Sequence, residues 1–243
     1  MSGIEILRSP KTAVLKTAGT NCDPETEYAF NKAGARAEII QLSQFKNGEY
    51  KIENYPIVVI PGGFSYGDDL GAGTMMALEL KKYLGDQLME HLHRGGLILG
   101  ICNGFQVLVA SGLLPCGAIC ERKDIQASLE RNDSGRFISK WVWLKKKDGE
   151  TFTLPIAHGE GKFVASKETL DEIKKNKQIV LRYHRENPNG SMNAIAGISD
   201  PKRQIIGLMP HPERFVEKFH NREVKVGEPS GLVFIREFVD LAR

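Results

Sequence analysis

The sequence predicts a doubly wound α/β fold: a mostly parallel sheet with helices on both faces and an added region of antiparallel strands. Three observations predict it. Pro56-Ile57-Val58-Val59-Ile60 and Gly96-Leu97-Ile98-Leu99-Gly100-Ile101 are apolar without alternation, as when both faces of a parallel strand are covered. Helical patterns alternate with such runs through the first half of the chain. Beyond Arg136 the texture changes to runs suited to antiparallel pairing. No repeat or low-complexity linker interrupts the pattern, so residues 12–243 read as one domain behind an extension of residues 1–11.

Ala13-Val14-Leu15 is a short buried strand leading into the loop Gly19-Thr20-Asn21-Cys22. Asp23-Pro24-Glu25 then supplies an N-cap, a proline at the first helical position and an acidic first turn, for a helix ending at Gly34. Ala37 to Leu42 reads as the next strand, 56–60 as the third, Met75 to Arg94 as helical, and 96–101 as a strand running into Cys102. Arg136 to Leu144, Thr151 to Ile156 and Ile179 to His184 read as antiparallel strands laid onto the main sheet. Gly231 to Arg243 closes the chain as a helix with Leu232, Ile235, Phe238 and Val239 on one stripe.

Composition narrows the function classes. The chain has 41% hydrophobic residues, enough for a core, and a net charge of +3 spread too evenly to argue for nucleic acid. Its densest basic run, Lys145-Lys146-Lys147, is followed by Asp148 and reads as a solvated turn. No apolar run approaches the ~18 residues of a membrane span, and Met1 to Lys11 lacks a signal-peptide core. The four cysteines fit reduced thiols of a cytoplasmic protein better than a disulfide framework. Cys116 and Cys120 lack a second ligand pair, so no metal is expected.

Cys102 stands where a buried strand meets the helix-like Asn103 to Val109, with Gly100 and Gly104 two residues to either side. A sharp strand-to-helix turn exposes its central side chain and needs small neighbours, which is the nucleophile-elbow pattern with sulfur for oxygen. A helix N-terminus beneath a sulfur also favours the thiolate. A thiol nucleophile needs a base and a group to orient it. Met209-Pro210-His211-Pro212-Glu213-Arg214 follows the apolar run Ile205 to Leu208. Its prolines hold the segment extended, so His211 and Glu213, two apart, face the same side. His158, His184 and His220 are weaker candidates. Donors for an oxyanion are expected from the backbone of Gly63, in the loop Pro61 to Asp68, and of Asn103. That loop has neither a P-loop Lys-Ser/Thr nor dinucleotide spacing.

Gly100-Ile101-Cys102-Asn103-Gly104-Phe105-Gln106 with His211-Pro212-Glu213 resembles the elbow and base pair of class I (triad) glutamine amidotransferases. The closer resemblance is to the glutaminase subunits of phosphoribosylformylglycinamidine synthase. Thr20 to Asp23, Pro61 to Asp68, Asn132 to Phe137, Ala157 to Gly161, Asn187 to Ser191 and Met209 to Arg214 carry it, in family order. The resemblance implies that Cys102 attacks glutamine and forms a glutamyl thioester, with His211, oriented by Glu213, moving the protons. It implies that Gly63 and Asn103 stabilise the oxyanion and that Gln106 holds substrate. His158, Gly159 and Glu160 would grip the α-amino and α-carboxylate groups, through backbone contacts and with Glu160 on the ammonium. The segments 132–137 and 187–191 are left as scaffold or partner contacts, since their residues also suit turns. The implied partners are a large synthetase subunit, carrying ATP, Mg²⁺ and formylglycinamide ribonucleotide, and a small accessory subunit. The implied pathway is de novo purine biosynthesis, the product formylglycinamidine ribonucleotide. Residues 220–228 look like a lineage insertion. Two rival readings are a chaperone- or protease-like relative on the same elbow and a non-catalytic assembly subunit. Glutamine four residues after the cysteine argues against the first, and an intact triad against the second.

Overall fold

A computed structural model describes residues 9–68, 71–119, 127–221 and 227–243. Most of the expected extension 1–11, the Cys120 half of the Cys116/Cys120 pair and residues 222–226 of the expected insertion lie outside the described residues. The first strand, β1 (Lys11–Lys16), pairs in parallel with β2 (Arg36–Gln41) and β3 (Ile57–Ile60). β3 pairs with β4 (Leu97–Ile101), whose five residues are all buried. Between them run helices α1 (Asp23–Lys32), α2 (Leu42–Lys46), α3 (Thr74–Glu79) and α4 (Gly85–His93), the last two joined by a π-helical turn over Leu80–Leu84. Helix α5 (Asn103–Ala110) follows β4 directly, and a short α6 (Leu113–Cys116) follows that.

The second half adds β5 (Ala127–Glu130), β6 (Ile138–Lys146), β7 (Thr151–His158), β8 (Lys162–Ala165), helix α7 (Lys167–Lys175), β9 (Ile179–His184), β10 (Ile195–Ser199) and β11 (Ile205–Leu208). Helix α8 (Ser230–Asp240) buries Leu232, Ile235, Phe238 and Val239, the stripe read from the sequence. Among the described residues the large sheet has nine strands in the order β2-β1-β3-β4-β11-β10-β9-β6-β7, and β5 pairs with β8 in a separate small sheet. The antiparallel strands therefore extend the parallel sheet edge to edge instead of lying upon it. The reason is β11: it pairs in parallel with β4 and antiparallel with β10, so it belongs to both halves.

Three further readings are corrected. Cys22, not Asp23, occupies the N-cap of α1 and makes no side-chain cap bond. The Asp23 carboxylate is instead drawn to the Lys16 ammonium on β1, a charge-assisted bond stronger than a neutral cap. Lys146 is not a solvated turn residue: it lies on β6 and pairs with Glu150 and Glu237 at 2.8 Å each. The run 209–214 is not extended throughout, because Pro212–Arg214 forms a 3₁₀ turn. A proline with its fixed φ suits the first position of a helical turn as well as it suits a strand. Among the described residues no helix is long and apolar enough to cross a membrane.

Candidate active site

The register of two neighbouring strands sets the site. β4 and β11 run in parallel with Ile101 opposite Leu208, and the Cys102 N–H donates to the Leu208 carbonyl at 2.8 Å. Cys102 thus leaves β4 one residue past its end, and His211 leaves β11 three residues past its end, at the same carboxyl edge. Ligands gather at this edge in open α/β sheets.

Cys102 has φ 50° and ψ −103°, a strained conformation for a residue with a Cβ. The glycines around it are sterically required. A Cβ on Gly104 would lie 1.9 Å from the Ile60 carbonyl, and one on Gly100 2.6 Å from the Gly104 carbonyl. Close packing of α5 against β3 and β4 therefore holds the elbow in its turn. Cys102 is 6% exposed, with the Ala157 carbonyl of β7 3.6 Å from its sulfur.

His211 Nδ1 and Glu213 Oε1 are 2.6 Å apart, both residues almost wholly buried, while the His211 backbone N–H is anchored on the Pro155 carbonyl at 2.9 Å. The 3₁₀ turn at Pro212 brings the pair together where a strand was expected to do so. Burial alone would lower the imidazole pKa. The Glu213 carboxylate and the nearby Cys102 sulfur more than offset that and hold it well above the ordinary histidine value. Nε2 of His211 is buried without a full hydrogen bond, leaving it for the chemistry.

A cavity of about 320 Å³ opens over these groups, lined among others by Gly63, Cys102, Gln106, His158, Gly159, Glu160 and His211. Gly63 has φ +136°, and a Cβ there would lie 2.8 Å from the Asn21 nitrogen, so glycine is needed. The flanking bonds, Phe64 N–H to Gly19 and Cys22 N–H to Gly62, do not use the Gly63 N–H. Asn103 is the first residue of α5; its Oδ1 accepts from the Ser65 N–H at 3.2 Å and hydroxyl at 2.6 Å, tying the 61–68 loop to the elbow. Gln106, expected to help hold substrate, lines the cavity and is also hydrogen-bonded within the site. Its Oε1 accepts from Asn103 Nδ2 at 2.9 Å and its Nε2 donates to the Glu160 carbonyl at 2.5 Å, so it braces the loop opposite. The Glu160 carboxylate sits 3.7 Å from Arg131 Nε and 3.4 Å from the Ala72 N–H.

His158 is buried, and burial, with the charge of His211 adding, pushes its pKa down to about 4. It is a neutral imidazole at pH 7. His184 is a half-buried residue on β9 and His220 is exposed, so neither joins the cavity lining.

Sequence reasoning missed Cys22 and Arg214 as site residues. Both line the cavity, and Arg214 Nη2 donates to Cys22 Sγ at 3.1 Å while Nε pairs with Glu25 at 2.7 Å. Burial pushes the Cys22 thiol up against the pull of His211. Their signal was the segments 20–23 and 209–214, matched but given no role. Ligand-type atoms of Cys22, His211 and Glu213 lie within 4.8 Å of one another. Glu213 Oε1 is paired with the imidazole and Cys22 Sγ accepts from Arg214, so the trio is joined by hydrogen bonds.

A family model for the CobB/CobQ-like glutamine amidotransferase domain matches residues 9–235. Phosphoribosylformylglycinamidine synthase subunit PurQ of Methanococcus maripaludis is 44% identical over 224 residues, covering 84% of this chain and 83% of that protein. The chain belongs to this family. A protein of the same name from Campylobacter jejuni is 41% identical over 94% of this chain and 96% of its own. The structure of PurLQS from Thermotoga maritima matches with a TM-score of 0.77 and 34% identity, covering 96% of this chain and 99% of that one. A glutamine amidotransferase from Thermotoga maritima, 17% identical with a TM-score of 0.52 over 95% of this chain and 90% of its own, shares the fold. The expected α/β amidotransferase fold and family are therefore both found.

Proposed function

We propose that the chain is the glutaminase subunit of a phosphoribosylformylglycinamidine synthase and that Cys102, His211 and Glu213 carry the reaction. The observation supporting it is the β4–β11 pairing, which delivers an elbow cysteine and a carboxylate-bound imidazole to one cavity. The relatives named as subunits of that synthase, over most of their length, supply the acceptor chemistry.

The Cys102 sulfur attacks the carboxamide carbon of glutamine, and the oxygen that becomes negative is met by the N–H groups of Gly63 and Asn103. The Cys102 thiol passes its proton to His211 as it attacks; the protonated imidazole, its charge balanced by Glu213, gives that proton to the departing ammonia as the C–N bond breaks, leaving a glutamyl thioester. Neutral His211 then takes a proton from water, whose oxygen attacks the thioester carbon. Glutamate leaves and the thiol is restored, so glutamine and water have become glutamate and ammonia. Neutral His158, Gly159 and Glu160 line the amino-acid end of the cavity, with the Glu160 carboxylate for the ammonium.

The ammonia goes to a large synthetase subunit, which binds ATP, Mg²⁺ and formylglycinamide ribonucleotide, with a small accessory subunit completing the complex. The PurLQS structure makes that assembly the natural one to reconstitute. In it, Cys102→Ala should abolish glutamine-dependent synthesis and spare synthesis from added ammonia. Loss of both with assembly intact would refute the division of labour.

A further inference from the structure

The segments 132–137 and 187–191, which the sequence leaves as scaffold or partner contacts, converge on one stretch of backbone beside the cavity. Asn132 is 2% exposed, and its carboxamide is fully used. Nδ2 donates to the carbonyls of Arg136 and His158 at 2.8 Å each. Oδ1 accepts from the Gly161 N–H at 3.2 Å and from His158 Nδ1 at 3.0 Å, which fixes the His158 tautomer with its proton on Nδ1. The Asn132 backbone N–H donates to the Gly159 carbonyl at 2.9 Å. From the other segment, Asn189 Nδ2 donates to the Gly161 carbonyl at 2.7 Å, and its Oδ1 is held by the Ser191 N–H and hydroxyl. Gln106 takes the Glu160 carbonyl.

All four carbonyls from His158 to Gly161 are thus taken up by the protein, three of them by side-chain carboxamides. Among the described residues the N–H groups of Gly159 and Glu160 have no protein acceptor, and both residues line the cavity. A loop whose acceptors are turned inward and whose donors are left over presents partial positive charge to a ligand, as backbone nests do for anions. Gly161 completes the clamp: a Cβ there would fall 2.3 Å from the His158 ring.

We propose that Asn132 is a positioning residue for substrate, supported by Asn189, and that it turns the 158–161 loop into a receptor for the α-carboxylate of glutamine. This rests on the glutaminase reading above. Asn132 touches no reacting atom. It acts through the loop, so its loss should weaken glutamine binding and leave the Cys102–His211 chemistry in place.

The test compares the full chain with its Asn132→Ala and Asn189→Ala variants, each assayed with its synthetase partner for glutamine hydrolysis. The expected result for Asn132→Ala is a glutamine KM raised about tenfold, with kcat within about threefold, as for loss of hydrogen bonds that serve binding alone. Inactivation of the chain alone should separate in the same way. The amino-acid electrophile 6-diazo-5-oxo-L-norleucine should react with Cys102 about tenfold more slowly in the variant, while iodoacetamide, which has no carboxylate to hold, should react at the wild-type rate. An unchanged KM, a fall in kcat alone, or equal slowing of both reagents would overturn the proposal. Should Asn132→Ala not fold, Asn189→Ala decides on the same readouts. If wild type itself neither hydrolyses glutamine nor reacts with the amino-acid electrophile, the glutaminase reading has failed instead.

Discussion

The parallel half of the sheet, β2-β1-β3-β4-β11, and its antiparallel flank, β10-β9-β6-β7, reach the cavity by different means. The parallel half delivers the groups proposed to react from strand ends, where register alone fixes which residues stand side by side: Ile101 opposite Leu208, hence Cys102 beside the approach to His211. Its precision comes from packing, with Phe105 of α5 fully buried and glycines where backbone meets backbone. The antiparallel flank carries the loop proposed to hold substrate from the end of β7, and between His158, paired with Ile138, and Lys162, paired with Glu130, no strand register holds it. Carboxamides do, through Asn132, Asn189 and Gln106. Close packing tolerates little change of shape. A hydrogen-bonded loop should weaken stepwise as its bonds are removed. The first half is therefore expected to fail in kcat or in folding, the second in KM.

The largest effect expected is from Glu213→Gln. The imidazole would lose the carboxylate that fixes its proton and balances its charge, and kcat should fall about 10³- to 10⁴-fold with KM little changed. A loss of tenfold or less in stopped-time glutaminase assays would show that His211 is oriented by something else. Gly104→Ala should come next: its Cβ would meet the Ile60 carbonyl at 1.9 Å, so α5 must move off β3. Roughly 3 kcal/mol of stability should be lost in urea titration. A variant of wild-type stability and activity would mean that the elbow is less tightly packed than described.

A pH experiment sharpens the contrast on the antiparallel side. The folded pKa of His158 is about 4, below the ~6.5 of an unfolded histidine. Between those values the unfolded chain binds the proton and the folded chain does not. The stability from a neutral His158 is therefore present above about pH 6.5 and is lost as pH falls toward 4, by up to roughly 3 kcal/mol. His158→Gln should flatten the stability curve across that window relative to wild type, as read by urea unfolding at several pH values. Parallel curves for the two proteins would contradict the assignment. The smallest effect expected is from Cys22→Ser, which keeps a polar acceptor for Arg214 at the cavity wall. Activity should change by no more than about fivefold. Abolished activity would make Cys22 part of the chemistry.

The same contrast decides how much could be read from the sequence. Strands β1, β3 and β4 declare themselves because a strand buried on both faces is a continuous apolar run, and the elbow declares itself because its glycines have no substitute. Strand β8 and helix α7 went unread. Lys162–Ala165 is only four residues with alternate burial, too short to mark a strand, whereas α7 did carry helix signals that were passed over: Ser166 at the N-cap, Glu168 in the first turn, Leu170 and Ile173 on one face and Lys174-Lys175 in the last turn. The convergence of Cys102, His211 and Glu213 on one cavity was legible, though the local geometry of 209–214 was not: proline at 212 fits an extended chain and a 3₁₀ turn equally, and only the tertiary fold selects the turn. The contacts that tie Asn132, Asn189 and Cys22 to the cavity reach partners 26 or more residues away, as with Asn132 to His158, Asn189 to Gly161 and Cys22 to Arg214. Polar residues in turn-like segments carry no local mark of such contacts.

The direct test of the whole account is to treat the full chain with 6-diazo-5-oxo-L-norleucine, with and without glutamine, and to map the adduct by mass spectrometry. Two buried thiols line this cavity, Cys102 and Cys22, and the proposed mechanism puts the nucleophile on Cys102, at the strained turn after β4. A single adduct on Cys102, suppressed by glutamine, is the outcome expected. An adduct on Cys22 with Cys102 unmodified would contradict it.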